Sequence, residues 1–148
     1  MITMALIVFF TLTAIAALHA AWGFGAYWPA PDERTLVALV IGQTGRTTMP
    51  SRPECLRASA AIFLAGVSAL ALVDLVEFPL PPYLVSAAGA LVALVFAARG
   101  AAVYLPAWRR RFAQEPFATM DTSWYGPFCL LLAVVFAVLV IKRIGSST

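Results

Sequence analysis

The sequence predicts an all-α integral membrane protein: an antiparallel four-helix transmembrane bundle with a long first loop and an amphipathic third loop. Three observations carry this expectation. Of the 148 residues, 62% are hydrophobic and 11% charged, whereas a soluble domain carries roughly a quarter charged residues. The mean hydropathy is +0.90, so the surplus apolar side chains need a solvent other than water. The charges are also clustered, leaving apolar stretches near the ~20 residues that a helix needs to cross hydrocarbon.

Those stretches locate the spans at about 3–24, 53–78, 82–104 and 123–143, in a single domain over residues 1–148. No Asp, Glu, Lys or Arg occurs from Met1 to Pro31. Further gaps run from Ala58 to Val73, from Phe78 to Ala98 and from Thr122 to Ile141, and the second span extends past Asp74 and Glu77 to Phe78. The first run carries "LHA" before Ala21, which loosely resembles a cleavage site. A signal peptide needs a positive n-region, however, and "MITMALIVFF" has none. It reads as a retained helix.

The connections follow from local chemistry. "YWPAPDE" is an interfacial exit from span one: Tyr27 and Trp28 suit the headgroup level, and Pro29 and Pro31 stop the helix. In the first loop, "TLVALVIG" is rich in β-branched residues and "GQTG" has turn chemistry. A short hairpin, or a segment lying against the membrane, is expected there. Span two opens on "SRPE", a Ser-x-x-Glu capping box with Pro53 in the first turn. "EFPLPPY" leaves so little slack that spans two and three are expected to form a hairpin. Span three is rich in small residues, Ala87 to Ala90 and Ala97 to Ala102 interrupted by Arg99, which permit close helix approach and suggest the centre of the bundle. The third loop, "YLPAWRRRFAQEPFATMDTSWYG", reads as a short interfacial helix. Asp121 or Ser123 is expected to cap span four, and "KRIGSST" to close it as a frayed tail.

Charge sets the expected orientation. Loops one and three and the helix ends beside them hold Arg34, Arg46, Arg52, Arg57 and Arg109 to Arg111, and the opposite side only Lys142 and Arg143. The positive-inside rule then puts both loops in the cytoplasm and both termini outside. The net charge of +3 is small, and without exposed aromatics interleaved on a basic face no nucleic-acid partner is expected. Cys55 and Cys129 fall on the reducing side, where free thiols are expected. No ligand cluster implies a metal or cofactor, and no P-loop, GxGxxG, G-x-S-x-G or H-E-x-x-H is present.

A few polar residues remain to be explained. His19, the only histidine, shares a helix face with Trp22 and Gly23. It reads either as a neutral histidine bonded to a neighbouring helix or as a ligand-binding or proton-handling group. Arg99 lies inside span three, at the same membrane face as His19 and Asp121. An arginine there wants a carboxylate, which Asp121 or Glu115 can supply. This is either an Arg–Asp tie or, with His19, Trp22 and Tyr125, a ligand site. Asp74 and Glu77, placed on one face of span two, and Lys142 and Arg143 make either an outer ion-pair cluster or a cation entry.

Three stretches together, "LHAAWGFGAYWP", "LVALVIGQTGRTTMPS" and "EPFATMDTSWYGPFCLLLA", resemble a family of small four-span bacterial inner-membrane proteins of unknown function. His19, Trp22 and Gly23 match its His-x-x-Trp-Gly pattern. Asp121, Tyr125, Pro127, Cys129 and Leu130 match its Asp-(x)₃-Tyr-x-Pro-x-Cys-Leu pattern. The resemblance implies a bacterial inner-membrane location and a four-helix membrane fold, with no reaction attached. Three functions compete, in this order: an accessory or structural subunit of a larger membrane complex; a binder of a lipophilic molecule or lipid near His19, Trp22 and Arg99; and a proton-coupled transporter or membrane enzyme using His19.

Overall fold

The computed structural model describes residues 1–146, and every regular element among them is helical. Four helical segments are long and apolar enough to cross a membrane: Ile2–Gly23, Arg52–Ala71, Pro82–Ala102 and Phe117–Ser146. These lengths fit a multi-pass membrane protein. The first is α1, apolar on every side. Its buried residues, Ala5, Val8, Leu12 and Ala16, lie three or four apart and form one stripe, while Ile7 and Phe10 are exposed. A helix that is apolar on its outward face as well needs a nonaqueous surround.

Of the two forms expected for loop one, the hairpin is not found and a helix forms instead. Helix α2 spans Glu33–Val40. Asp32 caps it, accepting a hydrogen bond of 2.8 Å from the Thr35 N–H. That bond, received from the backbone, also holds the Asp32 carboxyl below its ordinary pKa. Capping and the burial of Leu36 and Val37 outweigh the weak strand preference of β-branched residues. "GQTG" does form turns, with Gly42 and Gly45 at φ +63° and +79°. At Gly42 a side chain would also run into the Phe117 ring.

Helix α3 (Arg52–Ala71) starts where the capping signal lies. The Glu54 carboxylate accepts from the Ser51 N–H at 2.8 Å and from its hydroxyl at 2.6 Å. It ends at Ala71, several residues short of the expected limit, because the chain turns through Leu72 and Val73 into Asp74, which takes a left-handed φ of 56°. Helix α3 packs on α1 in reverse order of residues. Gly23 lies against Cys55, the Ser59 hydroxyl donates to the Ala16 carbonyl at 2.8 Å, and Gly66 meets Leu12 and Phe9.

Helix α4 (Pro82–Ala102) is followed by the short helices α5 (Pro106–Arg111) and α6 (Phe117–Met120), then a π-helical turn at Asp121–Tyr125 and α7 (Gly126–Ser146). Of the tail expected to fray, Ser147 and Thr148 lie outside the described residues, and α7 runs to Ser146. The main partner of α4 is α7, not α3. Gly100 rests on Gly126 and Leu130, Phe96 stacks on Phe136 with ring centres 6.0 Å apart, and Gly89 meets Val140. Gly89 of α4 also meets Leu72, the residue just past α3. The expected hairpin of spans two and three therefore gives way to two close pairs, α1 with α3 and α4 with α7. Span three is not the centre either. Its small residues bring one face onto α7, and only Gly89 and Gly100 are fully buried. The core instead joins α1, α3 and α7 through Leu12, Ala69, Leu72, Phe136 and Leu139.

At one end the two long connections clasp each other. The Thr44 N–H donates to the Arg111 carbonyl at 3.3 Å, and the Gln114 N–H to that of Gly42 at 3.0 Å. At the other end, Arg143 of α7 reaches Asp74 and the Ala71 carbonyl.

Candidate functional site

The polar centre of the molecule is built around a π-helical turn. Asp121 does not cap the last helix, as its sequence position suggested, but lies inside a continuous helical segment. Pro127 has no N–H to offer the Ser123 carbonyl four residues back, and its ring crowds that oxygen. The turn widens instead, and the Gly126 N–H donates to the Asp121 carbonyl five residues back. Such a bulge re-aims side chains within a helix. It points the Asp121 carboxylate inward, making Asp121 the one buried polar or charged side chain among the described residues, at 2% exposure.

Two donors meet that carboxylate. Arg99, in the last turn of α4, donates through Nη2 to Oδ1 at 2.6 Å. Trp108, on α5, donates through Nε1 to Oδ2 at 2.8 Å. The guanidinium also stands 4.9 Å from the centre of the Trp108 ring. Three elements are thus tied at one point, and the acid is satisfied at both oxygens. The other terminal nitrogen of Arg99, Nη1, is buried and finds no acceptor among the described residues. Trp108 was missed as a site residue. Its only signal was a tryptophan beside an arginine run, on a segment expected to lie at the same face as Asp121.

Asp121 and Trp108 line an open cavity of about 730 Å³ with Tyr104, Arg109, Arg110 and Thr122. His19 and Trp22 line another, of about 300 Å³, with Ile41, Met49, Glu54 and Cys55. The two share no lining residue, so the structure brings Arg99 to Asp121 but leaves His19 apart from both. The separation follows from the pairing, since His19 belongs to the α1–α3 pair and the Arg99–Asp121 bond to the α4–α7 pair. His19 Nδ1 lies 2.8 Å from the Ile15 carbonyl, which can only accept. Nδ1 is therefore assigned as the donor in that bond, and Nε2 is the ring nitrogen that Ile15 does not engage. The ring lies 4.9 Å from that of Trp22, whose Nε1 donates to the Trp28 carbonyl at 2.8 Å. The aromatic exit of α1 is held folded back in this way.

Tyr125 turns toward loop one. Its hydroxyl donates to the Leu39 carbonyl at 3.4 Å, and its ring packs on Phe117 at 5.8 Å. At the far end, Arg143 pairs with Asp74 at 2.7 Å. Asp74 and Glu77 lie past the end of α3 and share no helix face. Among the described residues Glu77 and Lys142 take part in neither of the two salt bridges. Neither Asp74 nor Glu77 lines the His19 recess. Cys55 and Cys129 are free thiols.

A further feature lies on the outer surface. Between α1 and α7 runs an apolar groove of about 370 Å³, lined by Thr3, Ile7 and Thr11 on one side and Phe128, Leu131 and Val135 on the other. Its floor is Val8 and Leu132, which join the core, and the seam above them stays open.

Residues 12–136 match the sequence model of a family of proteins of unknown function, DUF3995. The chain belongs to that family. No curated protein and no solved structure matches it. The DUF3995 match reaches from the middle of α1 to the middle of α7, so His19, Arg99, Trp108 and Asp121 all fall within it. It brings no reaction with it, and function has to be argued from the geometry.

Proposed function

We propose that this protein is a non-enzymatic accessory subunit of a larger complex in a bacterial inner membrane. In this reading it is an antiparallel four-span bundle, with both termini outside and loops one and three cytoplasmic. The observation that carries the reading is the groove between α1 and α7. A self-sufficient bundle closes its seams to the outside, and here α1 and α7 meet in the core through Val8 and Leu132 while the seam above them stays open as a groove. The lining is apolar, and its two threonines are small enough for close approach. An uncharged transmembrane helix of a partner fits such a surface. The arginine excess beside loops one and three supports the orientation.

The Arg99–Asp121–Trp108 arrangement serves that role as a structural tie, fixing α5 and the π turn against α4. A second reading, a lipophile held beside His19, is supported by one observation. His19 lines a recess with Trp22, Ile41 and Met49, where a ligand hydroxyl or amide could bond to the ring nitrogen that Ile15 does not engage.

Photocrosslinking in native membranes tests the docking reading. A photoreactive residue at Ile7 or Leu131, both exposed in the groove, is expected to give one discrete adduct with a partner protein. The same probe at Leu94, exposed on the outer face of α4, is expected to give mainly lipid adducts. Equal labelling from all three positions would contradict a docking groove.

A further inference from the structure

Helix α5 is six residues long and half of it is arginine, Arg109 to Arg111. Arg109 and Arg110 line the 730 Å³ cavity beside Tyr104, Trp108 and Asp121. The acids there are already engaged. Asp121 is matched by Arg99, and the Glu115 carboxylate accepts from the Thr119 N–H at 3.1 Å and from its hydroxyl at 3.0 Å. Arg109 and Arg110 belong to neither salt bridge among the described residues. With Arg99 cancelling Asp121, the two arginines outweigh Glu115, and the wall keeps an excess of positive charge.

The surroundings indicate which anion would neutralise it. The cavity lies where α4 gives way to α5 and α6 leads into α7. Tyr104 of the lining is more than half exposed, as are Leu105, next to it in the chain, and Trp124, two residues after the lining residue Thr122. Tyrosine and tryptophan are the side chains that settle at headgroup level, and exposed leucine beside them offers a surface for hydrocarbon. Basic recesses at the ends of membrane helices suit phosphate headgroups. A free phosphate would use the arginines and leave the apolar rim unused, whereas a phospholipid uses both.

We propose that this cavity seats the phosphate headgroup of an anionic phospholipid, with Arg109 and Arg110 as its cationic wall and Tyr104, Leu105 and Trp124 beside the upper acyl chains. The site is independent of the α1–α7 groove, and each can fail without the other.

The full-length protein, purified in mild detergent with mixed phosphatidylglycerol and phosphatidylcholine, tests the proposal by native mass spectrometry. The wild type is expected to retain phosphatidylglycerol over phosphatidylcholine by about tenfold or more. An R109Q/R110Q variant should lose that preference, and an R34Q/R57Q variant, which removes equal charge elsewhere, should keep it. No preference in the wild type, or equal loss in both variants, overturns a built site. Displacement of the lipid by millimolar inorganic phosphate overturns the phospholipid as the source. A second measurement needs no variant. Photoreactive phosphatidylglycerol added to the wild type should label the segment from Tyr104 to Thr122, and labelling concentrated elsewhere overturns the proposal.

Discussion

Asp121→Ala is expected to destabilise the protein by about 3 kcal/mol, the low end of the cost of stripping one partner from a buried charge pair. The low end applies because the Arg99 side chain is 31% exposed and regains some solvation. The loss has two parts. Arg99, which already holds one buried nitrogen without an acceptor, would keep its charge with no counter-charge. Trp108 would lose the oxygen that anchors α5. Reversible unfolding in mixed micelles, followed by circular dichroism, measures the change. The double variant Arg99→Leu/Asp121→Asn removes the charge pair but leaves Trp108 an amide oxygen. It is expected to recover most of the loss, since apolar replacement of an ion pair is often close to neutral. A double variant as unstable as Asp121→Ala would mean that the ion pair itself stabilises the fold, and that the loss does not come from the uncompensated Arg99 charge.

Gly100→Ala has the next largest expected effect. A Cβ at Gly100 would stand 2.7 Å from Leu130 Cγ and 2.8 Å from the Gly126 carbonyl oxygen. The leucine can turn aside, but a backbone oxygen in the first turn of α7 cannot. Helix α4 must therefore move off α7, at a cost of about 1–3 kcal/mol. Arg99 is the adjacent residue, so the shift should also lengthen its bond to Asp121. Gly100→Ala and Asp121→Ala are accordingly expected to be non-additive in a double-mutant cycle.

The two substitutions mark how far the sequence could be read. The four apolar segments follow from the spacing of charges, because a charged side chain in hydrocarbon is costly enough to leave an unmistakable gap. The link between Arg99 and Asp121 was legible for the same reason, as an intramembrane arginine needs a nearby acid. Which helices pair was not legible. Three prolines between α3 and α4 limit the length of the connection, but they do not decide whether Gly89 and Gly100 face α3 or α7. The π turn was hidden because Pro127 by itself is compatible with a helix start. Its position six residues after Asp121 mattered only once the segment proved continuous back to Phe117. Of the two forms expected for loop one, the hairpin gave way to a helix because β-branched composition is a weak guide beside a capping aspartate and a buried face. His19 was placed with Arg99 and Asp121 by membrane depth alone, and depth says nothing of which side of the bundle a residue occupies.

Purification from the native membrane in mild detergent, with mass spectrometry of everything retained, tests the central claim most directly. Wild type, Leu131→Trp and His19→Ala would be compared. The indole introduced by Leu131→Trp would fill the groove from an exposed position without disturbing the core, and His19 lies in a separate recess. A stoichiometric protein partner is expected with the wild type and with His19→Ala, and is expected to be lost with Leu131→Trp. A wild-type protein that emerges without a protein partner, carrying a lipophile that disappears in His19→Ala, would contradict that claim.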